Sequence, residues 1–208
     1  MQTIDQASGP TSRERPSDPR AAANRPLQAV DRLDSSAPQI VPYQPSWSAR
    51  FRVEAQVLRV ALAPLSPVVE HVGSTAVPGL AAMPVIDMAV GVAEPAAVDV
   101  HADRLANFGY RLMTSPEYRA ADRRVLLRTV HGVRTHHVHV VPVFGDAWHR
   151  LLMFRDMLRL DRDLCTGYES LKRELARQTQ GRPLSYAAGK ADFIGSVLGR
   201  TALTTGAH

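Results

Sequence analysis

Twelve residues separate Ser74 from Asp87, and the serine closes the string His71-Val72-Gly73-Ser74. A Gly-Ser pair at the end of a strand lets a backbone come close to a phosphate while the hydroxyl and amides donate to it. An aspartate in the next strand can then hold a divalent cation on the same phosphates. Each residue also has a plainer reading. Gly73-Ser74 can be a turn with a helix cap, and Asp87 a carboxylate bonded to backbone amides or an arginine. A mid-strand carboxylate beside an apolar face is costly unless something satisfies it, which favours a site.

The densest histidine cluster follows downstream, at His131, His136, His137 and His139. His137 and His139 are two apart, so on a strand they share a face and can point into the same cleft as Asp87. That pattern allows a His-Asp metal site or a proton-transfer role, or simply a polar network. Arg119, Arg123, Arg124 and Arg128 offer an anion-binding edge or a solvated edge strand. Arg124 and Arg128 fall on one side of that strand and Arg123 on the other.

The elements that must position these residues are readable from periodicity. Trp47, Phe51, Ala55, Leu58 and Leu62 recur at helical spacing behind Ser46, a candidate N-cap, and Pro64 and Pro67 end that helix. Val68–Val72 reads as a strand broken by Gly73. From Pro84 to Val92, Ile86, Met88, Val90 and Val92 form one face, with Val85, Asp87, Ala89 and Gly91 on the other. A helix is expected from Pro95 to Phe108, stopped by Gly109. Strands are expected over Arg123–Val130 and His136–Val143, joined by a loop at 131–135.

Three helices complete the chain. The first is capped by Asp146, the second is lined by Tyr168, Leu171 and Leu175, and the third by Tyr186, Phe193, Ile194 and Val197. Tyr168 and Tyr186 read as core. The order implies an α/β (α+β) fold, a small mixed sheet with flanking helices.

Length and composition bound the function. The chain has 208 residues, 45% of them hydrophobic and 22% charged, and no apolar run long enough to span a bilayer. Residues 1–40 hold five prolines, no aromatic, and equal numbers of acidic and basic residues. They read as a disordered tail, residues 41–200 as the single domain, and residues 201–208 as a flexible tail. The lone cysteine, Cys165, permits no intramolecular disulfide, and no secretory signal is readable, so a cytoplasmic location is expected. Net charge is +5, and of the 25 basic residues only Lys172 and Lys190 are lysine. Arginine suits bidentate recognition of phosphate, so a phosphorylated small molecule accounts for the charge; nucleic acid ranks third behind it and behind a protein partner.

The Val-Gly-Ser string with a strand aspartate at this spacing resembles the nucleotidyltransferase superfold, and the run from His71 to Asp87 resembles the GrpB family in particular. The likeness continues through His137-Val138-His139-Val140, Phe154 to Arg159, Leu171-Lys172, and Tyr186 with Lys190, covering about residues 40–198. Members of that family also occur fused as the C-terminal domain of some dephospho-CoA kinases. The resemblance implies a nucleotidyltransferase-like fold that binds a nucleotide, ATP or another, or a phosphorylated small molecule. Asp87 would hold Mg²⁺ and, with Ser74, act in any catalysis. Gly73, Ser74, Thr75, Arg155, Lys172 and Lys190 would contact phosphates, with His71, His137, His139 and Arg124 as polar partners of the site. It also implies an alternative, a non-catalytic accessory or binding module. Two departures bear on the choice: catalytic members of the superfold carry a second acid where this chain has Ala89, and the GrpB pattern usually has lysine where this chain has Met83.

Overall fold

The computed structural model describes residues 39–115, 118, 120, 122–178 and 183–204. All but the last two residues of the tail expected over 1–40, and residues 205–208, lie outside the described residues, as does Arg119.

Helix α1 (Ser46–Ala61) buries Trp47, Ala55, Leu58 and Ala61 along one stripe. Its N-cap is Pro45, already at φ −55°, so Ser46 lies inside the helix and makes no capping bond, contrary to the expectation. A 3₁₀ turn at Ala63–Leu65 leads into β1 (Val68–Val72), and β2 spans Ile86–Val92. The expected helix after Pro95 is instead a 3₁₀ stretch to His101 followed by α2 (Ala102–Asn107), closed by Gly109 at φ +80°. A short strand, β3 (Tyr110–Leu112), then pairs with β4 (Arg124–Val130). The turn into β5 (Val133–Pro142) is only His131-Gly132, both at positive φ, the backbone of a two-residue hairpin. The second hairpin strand therefore begins three residues before the expected His136.

Helices α3 (Asp146–Leu160), α4 (Arg162–Gln178) and α5 (Pro183–Thr204) finish the fold. Gly145, not Asp146, is the N-cap of α3; Asp146 sits in the first turn, where a negative charge suits the helix dipole. Helix α5 runs past the boundary expected at residue 200. No helix among the described residues is long and apolar enough to cross a membrane.

The strands form one sheet in the order β1-β2-β5-β4-β3, with β2 and β5 parallel and every other neighbouring pair antiparallel. Partner residues across a ladder share a face, so the sheet sorts the sequence into two layers. One face carries Val69, Ile86, Met88, Val90, Val138 and Val140 against Trp47, Leu58 and Leu105 of α1 and α2. The other carries Val72, Ala89 and Val141 against Trp148 of α3. Gly91 belongs to this second face, where a Cβ would stand 2.8 Å from the Trp148 ring. A third cluster, containing Phe154, Leu158, Tyr168 and Val197, joins the three C-terminal helices to Val77 and Leu80 in the loop after β1.

A polar network is sealed into the first layer. The buried Glu54 carboxylate accepts a hydrogen bond from Tyr110 Oη at 2.8 Å and pairs with Arg128, whose guanidinium also lies over the Tyr110 ring. This tethers α1 to β3 and β4. Removing the acceptor leaves a guanidinium and a phenol without their partner, so Glu54→Ala is expected to cost about 2–4 kcal/mol in urea unfolding. Tyr110→Phe, which leaves the ion pair intact, is expected to cost about 1 kcal/mol; equal losses in the two variants would refute this ranking.

Candidate functional site

The site begins where β1 ends. Gly73 turns the chain at φ +68°, and a Cβ there would lie 2.4 Å from Asp87 Oδ2. Only glycine brings that backbone so near the carboxylate. Ser74–Ala76 then form a single 3₁₀ turn, in which the Ala76 and Val77 amides donate to the Gly73 and Ser74 carbonyls. Arg159 clasps the turn from α3, donating through Nε and Nη2 to the Ala76 carbonyl at 3.1 and 2.8 Å.

Asp87 lies on the face of β2 covered by the C-terminal helices, with 28% of its side-chain surface exposed, so it opens towards solvent. The parallel register sets Asp87 beside His137 and Ala89 beside His139. His137 Nδ1 is 3.4 Å from Asp87 Oδ1, and the His137 and His139 rings are 4.3 Å apart. One donor atom from each of Asp87, His137 and His139 falls within 4.8 Å of the others. Burial alone would raise the Asp87 pKa. The hydrogen bond from His137, then the influence of His137, His139 and Lys190, outweigh it and hold the carboxyl below its usual range. Burial above all, helped by His137, lowers His139 to about 3, so its imidazole is neutral.

Helices α4 and α5 supply a wall for this cleft. The Tyr168 phenol faces Ser74, and its ring packs edge-on to Phe154. Burial raises the pKa of both Tyr168 and Tyr186, and Asp87 raises each further. Lys190 Nζ stands 4.4 Å from the centroid of the Tyr186 ring. Burial lowers Lys190 to about 8 against the opposing pull of Asp87. Lys172 is 2% exposed, donates to the Ala81 carbonyl and lies over the Tyr168 ring. Burial, and then the charge of Lys190, bring it down to about 7.

The structure therefore gathers Gly73, Ser74, Asp87, His137, His139 and Lys190, and separates the remaining candidates from them. His71 pairs with Met88 and so faces the opposite layer, stacked on Phe51. Its Nε2 meets Thr75 Oγ1 at 3.0 Å, so Thr75 is a buried clamp for the turn rather than an open phosphate donor. Arg124 also faces the first layer, beside Val140, and is held bidentately by Asp99 at 2.7 and 3.1 Å. It is not a partner of Asp87. Arg128 is committed to Glu54, and Arg123 precedes β4 rather than lying in it, where its charge helps to lower His139. Arg155 donates to Asp156, Glu70 and the His71 carbonyl, so its role is to pin α3 to β1 instead of facing a ligand. Lys172 is bonded inward to the loop at Ala81.

Tyr168 and Tyr186, expected as core, are buried but border the site. Their signal was their spacing from the two lysines: Tyr168 and Lys172, like Tyr186 and Lys190, are four residues apart and share a helix face.

A family model described as GrpB protein matches residues 37–200. The chain belongs to the GrpB family. It is 35% identical over 184 residues to a UPF0157 protein of Pseudomonas aeruginosa, covering 86% of this chain and 73% of that one. A solved structure, the conserved protein GrpB from Enterococcus faecalis, superposes with a TM-score of 0.67 at 35% identity, covering 78% of this chain and 99% of that one. A dephospho-CoA kinase of Mycolicibacterium paratuberculosis is 29% identical over 178 residues, which are 75% of this GrpB chain and 44% of the kinase. The Cid1 poly(U) polymerase, bound to Mg and 3'-dATP, superposes with a TM-score of 0.50 at 16% identity over 72% of this chain and 49% of that one. This last likeness gives the fold, which is nucleotidyltransferase-like. The paired ions used in phosphoryl transfer need bridging carboxylates. Ala89, fully buried beside His139, supplies none, so the donors around Asp87 do not fit a paired Mg²⁺ centre.

Two outcomes are expected from this geometry. Gly73→Ala adds both a left-handed backbone and a clash with Asp87, and should cost at least about 2 kcal/mol in denaturant unfolding. Gly79→Ala, at φ +82° with open space for its Cβ, is expected to cost about 1 kcal/mol; similar losses would remove the close-approach argument. Burial lowers His71 and His136 to about 4 and His139 to about 3. The unfolded chain therefore takes up protons first as pH falls, and the thermal midpoint should drop steadily from about pH 6.5 towards pH 4. A midpoint flat across that range in calorimetry would contradict the buried neutral histidines.

Proposed function

We propose that this GrpB domain binds the phosphates of a nucleotide or another phosphorylated small molecule, with one divalent cation on Asp87. The observation that carries the reading is the apposition of Gly73 and Asp87, since it sets a turn that only glycine can make directly against a carboxylate held ionised. Lys190 adds a cation on the helical side of the same cleft, poorly hydrated and thus ready to pair with an anion. A single carboxylate can hold one ion together with the ligand's own phosphates. Mg²⁺ is the ion the fold suggests, and ATP the first nucleotide to try.

Transfer of a nucleotidyl group to a small acceptor is the chemistry that the fold offers if the domain is catalytic. Ala89 favours the other reading, a binding or accessory module that keeps the cleft without the second acid. Such a module would work through a protein partner, an arrangement consistent with the match to part of a dephospho-CoA kinase.

Calorimetric titration with ATP, with and without Mg²⁺, tests the phosphate reading. Binding is expected only with the metal, and it should fall at least tenfold in Asp87→Asn while the thermal midpoint stays within a few degrees of the parent. Equal binding by the variant would overturn the assignment of the cation to Asp87. No binding with ATP or the other common nucleotides would leave the module reading and direct the search to a protein partner.

A further inference from the structure

Without a ligand's phosphates to complete the shell, the three donors grouped on the second face of the sheet suit an ion other than magnesium. Mg²⁺ takes oxygen ligands and keeps much of its water, whereas imidazole nitrogen suits the borderline first-row ions. Here two of the three are imidazoles. We propose that Asp87, His137 and His139 form a two-histidine, one-carboxylate site for a single divalent transition ion of the zinc or cobalt class. The inference rests on the reading that Asp87 carries a cation, and it names the kind of ion.

Geometry carries it. A tetrahedral ion with bonds of ~2.0–2.1 Å leaves its donors roughly 3.3 Å apart, and His137 Nδ1 stands 3.4 Å from Asp87 Oδ1. His139 completes the group, with all three donor atoms within 4.8 Å of one another. His139 is 2% exposed, and its Nδ1 is buried with no hydrogen-bond partner. A ring nitrogen shut from water without a partner is costly to leave. The backbone holds the group rigidly, because His137 and His139 are consecutive residues of one face of β5 and Asp87 is the ladder partner of the first. Ala89, buried beside His139, ends at a methyl group and brings no competing polar atom to the group.

The test uses the full chain stripped with a chelator and then titrated with Co²⁺ alone, followed by visible absorption. One equivalent is expected, with ligand-field bands of mixed nitrogen and oxygen coordination. Zn²⁺ should displace it stoichiometrically, and Mg²⁺ in about hundredfold excess should not. His137→Gln and His139→Gln should each weaken Zn²⁺ binding at least roughly tenfold. His149→Gln, which changes an exposed histidine bonded to the Gly145 carbonyl, should leave it unchanged. The parent chain decides the matter even if His139→Gln fails to fold: no Co²⁺ or Zn²⁺ uptake, or displacement by Mg²⁺, overturns the inference. Uptake unaffected by both His137→Gln and His139→Gln overturns it as well. Co²⁺ uptake together with a silent ATP titration upholds the metal site and removes the phosphate reading. ATP binding with Mg²⁺ and no transition-ion uptake does the reverse.

Discussion

Everything at the candidate site depends on the parallel ladder between β2 and β5. A parallel pair fixes one residue beside another along its whole length, and here it sets Asp87 beside His137 and Ala89 beside His139. A slip of one residue would turn Asp87 into the apolar layer against α1 and send Met88 into the cleft. That alternative is blocked by burial: Ile86, Met88, Val90, Val138 and Val140 all belong to the first core and have no comparable place on the other face. The hydrophobic effect thus fixes the register, and the register places the donors. Antiparallel pairing with β1 extends the same constraint, because Val72 stands beside Asp87 and delivers Gly73 directly to its carboxylate.

Much of this was legible in the sequence because strand parity is a local property. The two faces of β2 follow from alternation alone, as does the shared face of His137 and His139. Helix α1 and the three C-terminal helices follow from apolar spacing. His71 shows where local reading stops. It is two residues from Gly73, yet it faces away from the site, and only the pairing of β1 with β2 reveals this. Arg155 makes the same point. A string that reads as cationic becomes a structural brace once Glu70 and Asp156 surround it. β3 was missed since three residues carry no period, and the start of β5 was missed because His131, without being glycine, takes a left-handed turn. The tyrosines of α4 and α5 were legible as buried, but their closeness to Asp87 depends on how the helices fold back over the sheet.

The two lysines illustrate how charge is used in this fold. Arginines brace the layers: Arg124 holds Asp99, Arg128 holds Glu54, and Arg155 holds Glu70 and Asp156. A planar fork with several donors suits that role, since it satisfies carboxylates and carbonyls together. Lysine is kept for two positions on the helical wall, each over a tyrosine ring. There a single point charge, poorly hydrated, acts on its surroundings through its proton affinity. Lys172 is bonded into the loop after β1, and Lys190 is left facing Asp87.

The order of elements along the chain has a consequence for how the cleft is made. Every strand among the described residues, and with them Asp87, His137 and His139, precedes the first residue of α3. Tyr168, Tyr186 and Lys190, which border the cleft, all lie on the two helices after it. On a ribosome the donors therefore emerge before the helices that cover them. A chain paused after Pro142 carries the full donor set and none of the helical wall. The helical side of the cleft is thus the last part of it to be synthesised.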